Sequence, residues 1–193
     1  MGERVVSALL QPIVRKGVSP VRLRGMLFAV VTTLAATVAL SSAQSAWEIC
    51  FSPGGDCTKA IVTALEHAKS SVLVQAYTFT SAPIAKALVD AARRGVKVEV
   101  ILDKSQVSGR YSSADFLARA GIPVRIDAAH AIAHNKVMVI DGSTVITGSF
   151  NFTRAAQEKN AENLLVVHDP ALASRYAENW KAHAEHSEPY TPK

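Results

Sequence analysis

A net excess of either charge is missing from most of this sequence. Charged residues make up 19% of the 193-residue chain, and the formal excess of +5 is unevenly spread. Residues 1–43 carry five basic side chains (Arg4, Arg15, Lys16, Arg22 and Arg24) against one acid, Glu3. The remaining residues carry 16 basic side chains against 15 acidic ones. A surface that binds polyanions through bulk charge is therefore excluded for the folded part, and any anion site must be local. Cysteine is scarce, with two in the chain, Cys50 and Cys57. Their spacing is neither the C-x-x-C of a redox pair nor that of a zinc pair. No apolar run reaches the roughly 20 residues of a spanning helix. Gly54-Gly55 lacks the following Gly-Lys-Ser of a P-loop. Gly148-Ser149-Phe150-Asn151 lacks the G-x-S-x-G elbow of acyl hydrolases. There is no repeat, no long linker and no carboxylate cluster of the kind that holds Mg²⁺. What is abundant is apolar residue, at 49%. That excludes a disordered chain and supplies one domain with a core.

The apolar residues are not all core. Residues 26–40 form an uncharged 15-residue stretch. Arg22 and Arg24 precede it, and the small residues Ser41 to Ala46 follow. Basic, apolar, then small is the layout of a secretory signal. Cleavage is expected after Ala43, or after Ser45, and the other reading is a short uncleaved anchor. A signal usually starts a few residues before its basic region, so residues 1–20 are expected to be an extension of the gene model. Both cysteines follow the cut. Export to an oxidising compartment favours a Cys50–Cys57 disulfide, with roughly 2–3 kcal/mol of stabilisation from so small a loop. The alternative is two buried thiols.

Beyond the leader, strand and helix patterns alternate. Strands are expected at 47–51, 72–79, 96–102, 124–126, 136–140, 144–147 and 161–167, and helices at 58–70, 81–94, 114–120 and 170–183. Asp56 or Thr58 caps the first helix. Ser81 caps the second, with Pro83 in its first turn and Gly95 at its stop. The tail after His183 is expected to be loose. The pattern predicts a single α/β domain, a sheet flanked by helices. The sheet is mixed because Asp141-Gly142 makes a tight antiparallel hairpin.

Chemistry concentrates in one segment, from His134 to Asn151. On a strand His134 and Lys136 share a face. Ser149 and Asn151 are also two apart, at the exit of the partner strand, and the hairpin folds the two ends together. A carboxylate, Glu162, opens the next strand. A neutral imidazole is a nucleophile, and a lysine with Ser and Asn donors cradles an anion with several oxygens. The implied substrate is a phosphate ester.

This segment resembles the H-x-K-x4-D-x6-G-S-x-N signature of the phospholipase D superfamily, with every spacing met from His134 through Lys136, Asp141, Gly148 and Ser149 to Asn151. A lone H-x-K carries no weight. His67-Ala68-Lys69 is one, and Val74 stands where its aspartate would be. Three further segments are similar to the small single-motif bacterial endonucleases of that superfamily: Phe51 to Gly55, Ala76 to Ser81, and Asn160 to Asn163. The resemblance implies that His134 attacks phosphorus to give a phosphohistidine, and that Glu162 holds its other ring nitrogen. Lys136, Ser149 and Asn151 would bind the phosphoryl oxygens. Asp141 would support the lysine or simply pin the hairpin. No metal or other cofactor is implied. Displacement at phosphorus needs one neutral imidazole and one protonated one. Large family members carry the motif twice and this chain once, so a homodimer is expected, with the site on its two-fold axis. Nucleic acid is the expected substrate and phospholipid the alternative, which would call for an apolar rim or an amphipathic surface helix. A catalytically dead binding module would need a lost motif residue, and none is lost.

The remaining candidates have plainer readings. His130 could line the site or be structural. His183-Ala184-Glu185-His186 looks like a metal tract but reads as a solvated helix end. Gly54-Gly55 reads as a turn that could border the site. Lys104, Arg110, Arg125, Arg154 and Lys159 could form a basic rim, or each be solvated.

Overall fold

In β1 (Trp47–Ser52) alternate residues face opposite sides: Trp47, Ile49 and Phe51 are exposed, while Ser52 is buried. The structure, a computed structural model, describes residues 46–109 and 112–192. The expected leader, its cleavage points and Arg110 lie outside them. The elements that follow are α1 (Cys57–His67), β2 (Ser71–Ala76), α2 (Ala82–Arg93), β3 (Lys97–Asp103), α3 (Ala114–Arg119), β4 (Val124–Asp127), β5 (Lys136–Ile140), β6 (Thr144–Gly148), α4 (Arg154–Glu158), β7 (Glu162–His168), α5 (Pro170–Glu185) and β8 (Glu188–Pro189). The eight strands form one sheet in the order β1-β7-β6-β5-β2-β3-β4-β8. β2, β3 and β4 run parallel, and the remaining pairings are antiparallel. The mixed α/β sheet is the expected one.

Helical spacing decides what each helix buries. α1 turns Cys57, Ile61 and Leu65 inward, and α2 turns Ile84, Leu88 and Ala91. They pack with α3 and α4 residues on one sheet face, against Val72, Val74, Val100, Met138 and Ile146. α5 covers the other face, where Ala173 meets Val137, Val139 and Val145. The Trp180 indole donates to the Val74 carbonyl at 2.8 Å. β5, covered on both faces, is buried along its whole length.

Caps follow the sequence in part. The Asp56 side chain accepts from the Lys59 N–H, whereas Ser81 makes no side-chain cap. Cys50 and Cys57 are disulfide-bonded, tying β1 to the start of α1. The turn after β1 returns the Gly55 N–H to Phe51 O at 2.9 Å, and Gln157 Nε2 donates to Gly55 O. Gly54-Gly55 is thus a turn braced by α4.

One expectation is corrected. The tail is not loose, because β8 pairs with β4, the Tyr190 N–H donates to Val124 O at 2.8 Å, and the Tyr190 hydroxyl donates to Asp115 at 2.7 Å. A two-residue strand containing proline shows no alternation, so nothing in its pattern announced it.

Candidate active site

The register brings the motif to one end of the sheet. Ala76 closes β2 opposite Lys136, which opens β5. Gly148 closes β6 opposite Leu164 near the start of β7, and Ser52 closes β1 opposite Glu162. Chain ends of five strands therefore meet at one edge, and the segments leaving them carry His134, Ser149 and Asn151.

His134 is exposed, in the loop before β5. Its ring lies 4.6 Å from the Tyr77 ring, centroid to centroid. Lys136 is buried, its ammonium 5.1 Å from the centroid of the same tyrosine and donating to the His134 carbonyl at 2.9 Å. The Tyr77 N–H donates to Asn135 O at 2.8 Å, which fixes β2 against this loop. The His134 ring and the Lys136 ammonium thus both lie against Tyr77, and the Lys136 side chain reaches the His134 backbone rather than its ring. Burial pushes the Lys136 ammonium below the usual lysine range, and the nearby Glu162 carboxylate pulls it back up.

Ser149 and Glu162 are joined. The Ser149 hydroxyl donates to Glu162 Oε2 at 2.6 Å and accepts from the Asn163 N–H at 3.1 Å. The other carboxylate oxygen, Oε1, accepts from Asn160 Nδ2 at 3.0 Å. The hydrogen bonds of Glu162 therefore go to Ser149 and Asn160, not to the His134 ring as the resemblance implied. Gly148 makes this junction possible. Its φ is +145°, and a Cβ there would meet Asn163 O at 2.3 Å. Asn151 Oδ1 is buried with no hydrogen-bond partner among the described residues.

Asp141 does not belong to this group. It sits at the far end of β5, roughly 16 Å from Lys136 along a strand rising about 3.3 Å per residue. Its carboxylate accepts the backbone N–H groups of Lys69, Ser70 and Ser71 and the Ser70 hydroxyl. Burial would raise its pKa, but those donors outweigh it and hold the carboxyl below the usual range. Asp141 and Gly142 both take positive φ, 54° and 62°, as a type I′ hairpin needs. The Asp141 hydrogen bonds tie the hairpin to the segment that starts β2. A cleft of about 540 Å³ opens beside Asp141, and it holds none of His134, Lys136, Ser149 or Asn151.

Tyr77 lies in the family-like segment Ala76 to Ser81 but was not singled out as a site residue; its place just past a strand whose partner begins with Lys136 was a second signal. Of the residues that could form a basic rim or each be solvated, three bond elsewhere. Lys104 donates to His130 O, Arg125 to Ser187 O, and Arg154 pairs with Glu158. His183 and His186 are not a solvated helix end either. Both rings, with that of His130, turn onto the buried Asp127 carboxylate. Burial would raise the Asp127 pKa, yet hydrogen bonds from His183, His130, the Ala129 N–H and His186 pull it down to about 2.

Comparison with known proteins follows the same lines. A family model described as "Cardiolipin synthase, PLD-like domain" matches residues 61–184. A Rickettsia felis protein named "Phospholipase D" is 47% identical over 131 residues, which is 68% of this chain and 66% of that protein. The matched region thus spans just under two-thirds of that relative. A "Mitochondrial cardiolipin hydrolase" of Xenopus laevis is 34% identical over 131 residues, covering 68% of this chain and 62% of its own length. Among solved structures, a phospholipase D family member, Nuc from Salmonella typhimurium, superposes with a TM-score of 0.73 at 39% identity. It covers 75% of this chain and 97% of its own.

Proposed function

Because this chain belongs to the phospholipase D-like family, we propose that it is an exported phosphodiesterase acting through a phosphohistidine, with nucleic acid as substrate. The observation that carries the reading is the exposed His134 imidazole beside the buried Lys136 ammonium, both against Tyr77 at one end of the sheet. A ring nitrogen of His134 attacks phosphorus, and the P–O bond to the leaving group breaks. The leaving oxygen takes a proton from a second, protonated imidazole. Water then attacks the phosphohistidine, gives up its proton to that same second imidazole, and the P–N bond breaks. Lys136, with the Ser149 hydroxyl and the Asn151 amide, carries the charge that builds on the phosphoryl oxygens. Glu162 acts as a positioning residue, holding Ser149 and setting the field at Lys136.

The second imidazole comes from His134 of a second copy of the chain, across a two-fold axis. Exposed apolar side chains beside the site support this. Phe51 lies opposite Asn163 and is 61% exposed, and Ile132, two residues before the nucleophile, is 53% exposed. Export is supported by the leader and by the Cys50–Cys57 disulfide.

Nucleic acid is favoured by the likeness to single-motif endonucleases and by an open site that a polymer backbone can reach. Phospholipid is the second reading, favoured by the names of the relatives and by the same Phe51 and Ile132 side chains, which could meet a lipid surface. The test is to incubate the protein, without added divalent cations, with plasmid DNA and separately with phosphatidylcholine or cardiolipin vesicles. Nicking without headgroup release supports the nuclease; the reverse transfers the reading to lipid. His134→Ala should abolish either activity, and surviving activity would refute the mechanism.

A further inference from the structure

We propose that Asp127, His130, His183 and His186 form a structural zinc-type site that anchors the loop delivering His134. The four side chains come from two pairs spaced three residues apart, one at the end of β4 and one at the end of α5. Asp127 is fully buried, and His183 keeps 15% of its side-chain surface. His183 Nδ1 lies 2.7 Å from Asp127 Oδ2, His186 Nε2 lies 3.3 Å from the same oxygen, and His130 Nδ1 lies 3.2 Å from Oδ1. The three rings form a near-equilateral triangle, with centroids 5.0, 5.3 and 5.3 Å apart. All four donor atoms lie within 4.8 Å of one another.

Three imidazoles and one carboxylate are a full tetrahedral donor set for zinc. Bonds of about 2.0–2.1 Å put tetrahedral donors about 3.3 Å apart. His186 Nε2 is at that spacing from Oδ2 and His130 Nδ1 from Oδ1, His183 must open slightly from 2.7 Å, and the widest separation of 4.8 Å needs about 1.5 Å of closure. Rotation of the half-exposed His130 and His186 rings supplies it. Zinc binding exchanges the inward N–H bonds to Asp127 for metal bonds, each neutral imidazole moving its proton to the outward nitrogen and giving its inward lone pair to the ion. The C-terminus of α5 adds its dipole, which favours a cation.

The backbone holds the two pairs in place without the ion. Ser187, just past α5, is buried, its hydroxyl donating to His183 O while its carbonyl accepts from Arg125 of β4. Lys104 donates to the His130 carbonyl, and Asp103 accepts the Ala133 N–H at 2.7 Å. His130 and His134 are the two ends of one short span, so an ion gripping His130 fixes where that span starts. The ion is apart from the reacting phosphate. Its presence is independent of the proposed reaction, and so is its test.

The experiment uses the full chain without a polyhistidine tag. Zinc retained after dialysis is measured by mass spectrometry, and Co²⁺ uptake by its visible absorption. About one ion per chain is expected, with the intense visible bands of a four-coordinate cobalt site. Saturating zinc should raise Tm by roughly 5–10 °C. His183→Ala/His186→Ala should retain none. His130→Ala, half-exposed and safe for folding, should weaken zinc binding at least about tenfold with an unchanged circular dichroism spectrum. Wild-type chain without zinc above background would overturn the proposal. So would zinc that survives His130→Ala and His186→Ala undiminished but is lost in His134→Ala.

Discussion

Under the proposed reaction, two residues of the signature, Lys136 and Asp141, would divide the work between chemistry and stability. The buried Lys136 ammonium is there against its own solvation, since burial is the larger influence on its pKa and lowers it. A lysine with a depressed folded pKa destabilises the fold at every pH below that value, and the penalty fades as pH rises through it. Lys136→Met should therefore lower turnover about 10²–10³-fold while leaving Tm at neutral pH unchanged or higher. Kinetics and calorimetry on the same preparation check both halves. Asp141 behaves oppositely. Its depressed pKa means stability that is present above the unfolded value of 3.8 and lost as pH falls through the folded one. Asp141→Asn, which keeps the turn geometry, should cost about 1–2 kcal/mol at pH 7, less below pH ~4, with kcat and KM unaffected. Urea denaturation at both pH values reads the first, and a normal rate per folded molecule reads the second. A Lys136-like collapse of turnover in Asp141→Asn would return the aspartate to the active site.

Elements decide how far such side chains could be foreseen. The long strands and α1, α2 and α5 were legible because each buries one periodic stripe, as with Ile61 and Leu65 of α1. The hairpin between β5 and β6 was legible from Asp141-Gly142, and with it the placing of the strand ends that carry His134 and Lys136 and the segment with Ser149 and Asn151 at one end of the sheet. What could not be read is short or distant. α4 spans five residues and β8 two, too few to show a period. The Asp127–His183 contact joins residues 56 apart in sequence, across a helix whose docking only the fold determines. Glu162 was identified as functional, but which partner it takes depends on local rotamers that no spacing encodes. Two changes test these elements. Ending the chain after Ser187 removes β8 and the Tyr190–Asp115 hydrogen bond, and should lower Tm by roughly 3–6 °C while sparing the site residues. Gly148→Ala drives a methyl into the Asn163 carbonyl at the β6–β7 junction, so stability and activity should fall together. A folded, fully active Gly148→Ala protein would show that the junction does not shape the Ser149–Glu162 pair.

At the scale of the whole molecule, the site is half of what its proposed reaction demands. A single chain offers one motif imidazole, exposed at the end of the sheet, and the nearest other histidines are committed to Asp127. Lys136 donates to the His134 carbonyl and Glu162 is bonded to Ser149 and Asn160, so the proposed reaction takes its acid from outside this group. The Trp47, Ile49 and Phe51 row on the edge strand β1 is exposed on the side opposite the one on which Cys50 and Ser52 pack, and Ile132, two residues before His134, is exposed as well. A second copy laid across that edge would bury these side chains and bring a second His134 to the first. Mixing makes the point quantitative. If wild-type and His134→Ala chains are exchanged in equal amounts, random pairing leaves about one quarter of dimers with both imidazoles. Activity should fall to about that fraction of an all-wild-type sample of the same total concentration, whereas independent subunits would retain about half. Sedimentation of Phe51→Asp/Ile132→Asp should show monomer, with turnover lost although His134, Lys136 and Ser149 are intact. A monomer with full turnover would mean that the acid is supplied from within one chain, and that the two-fold arrangement is wrong.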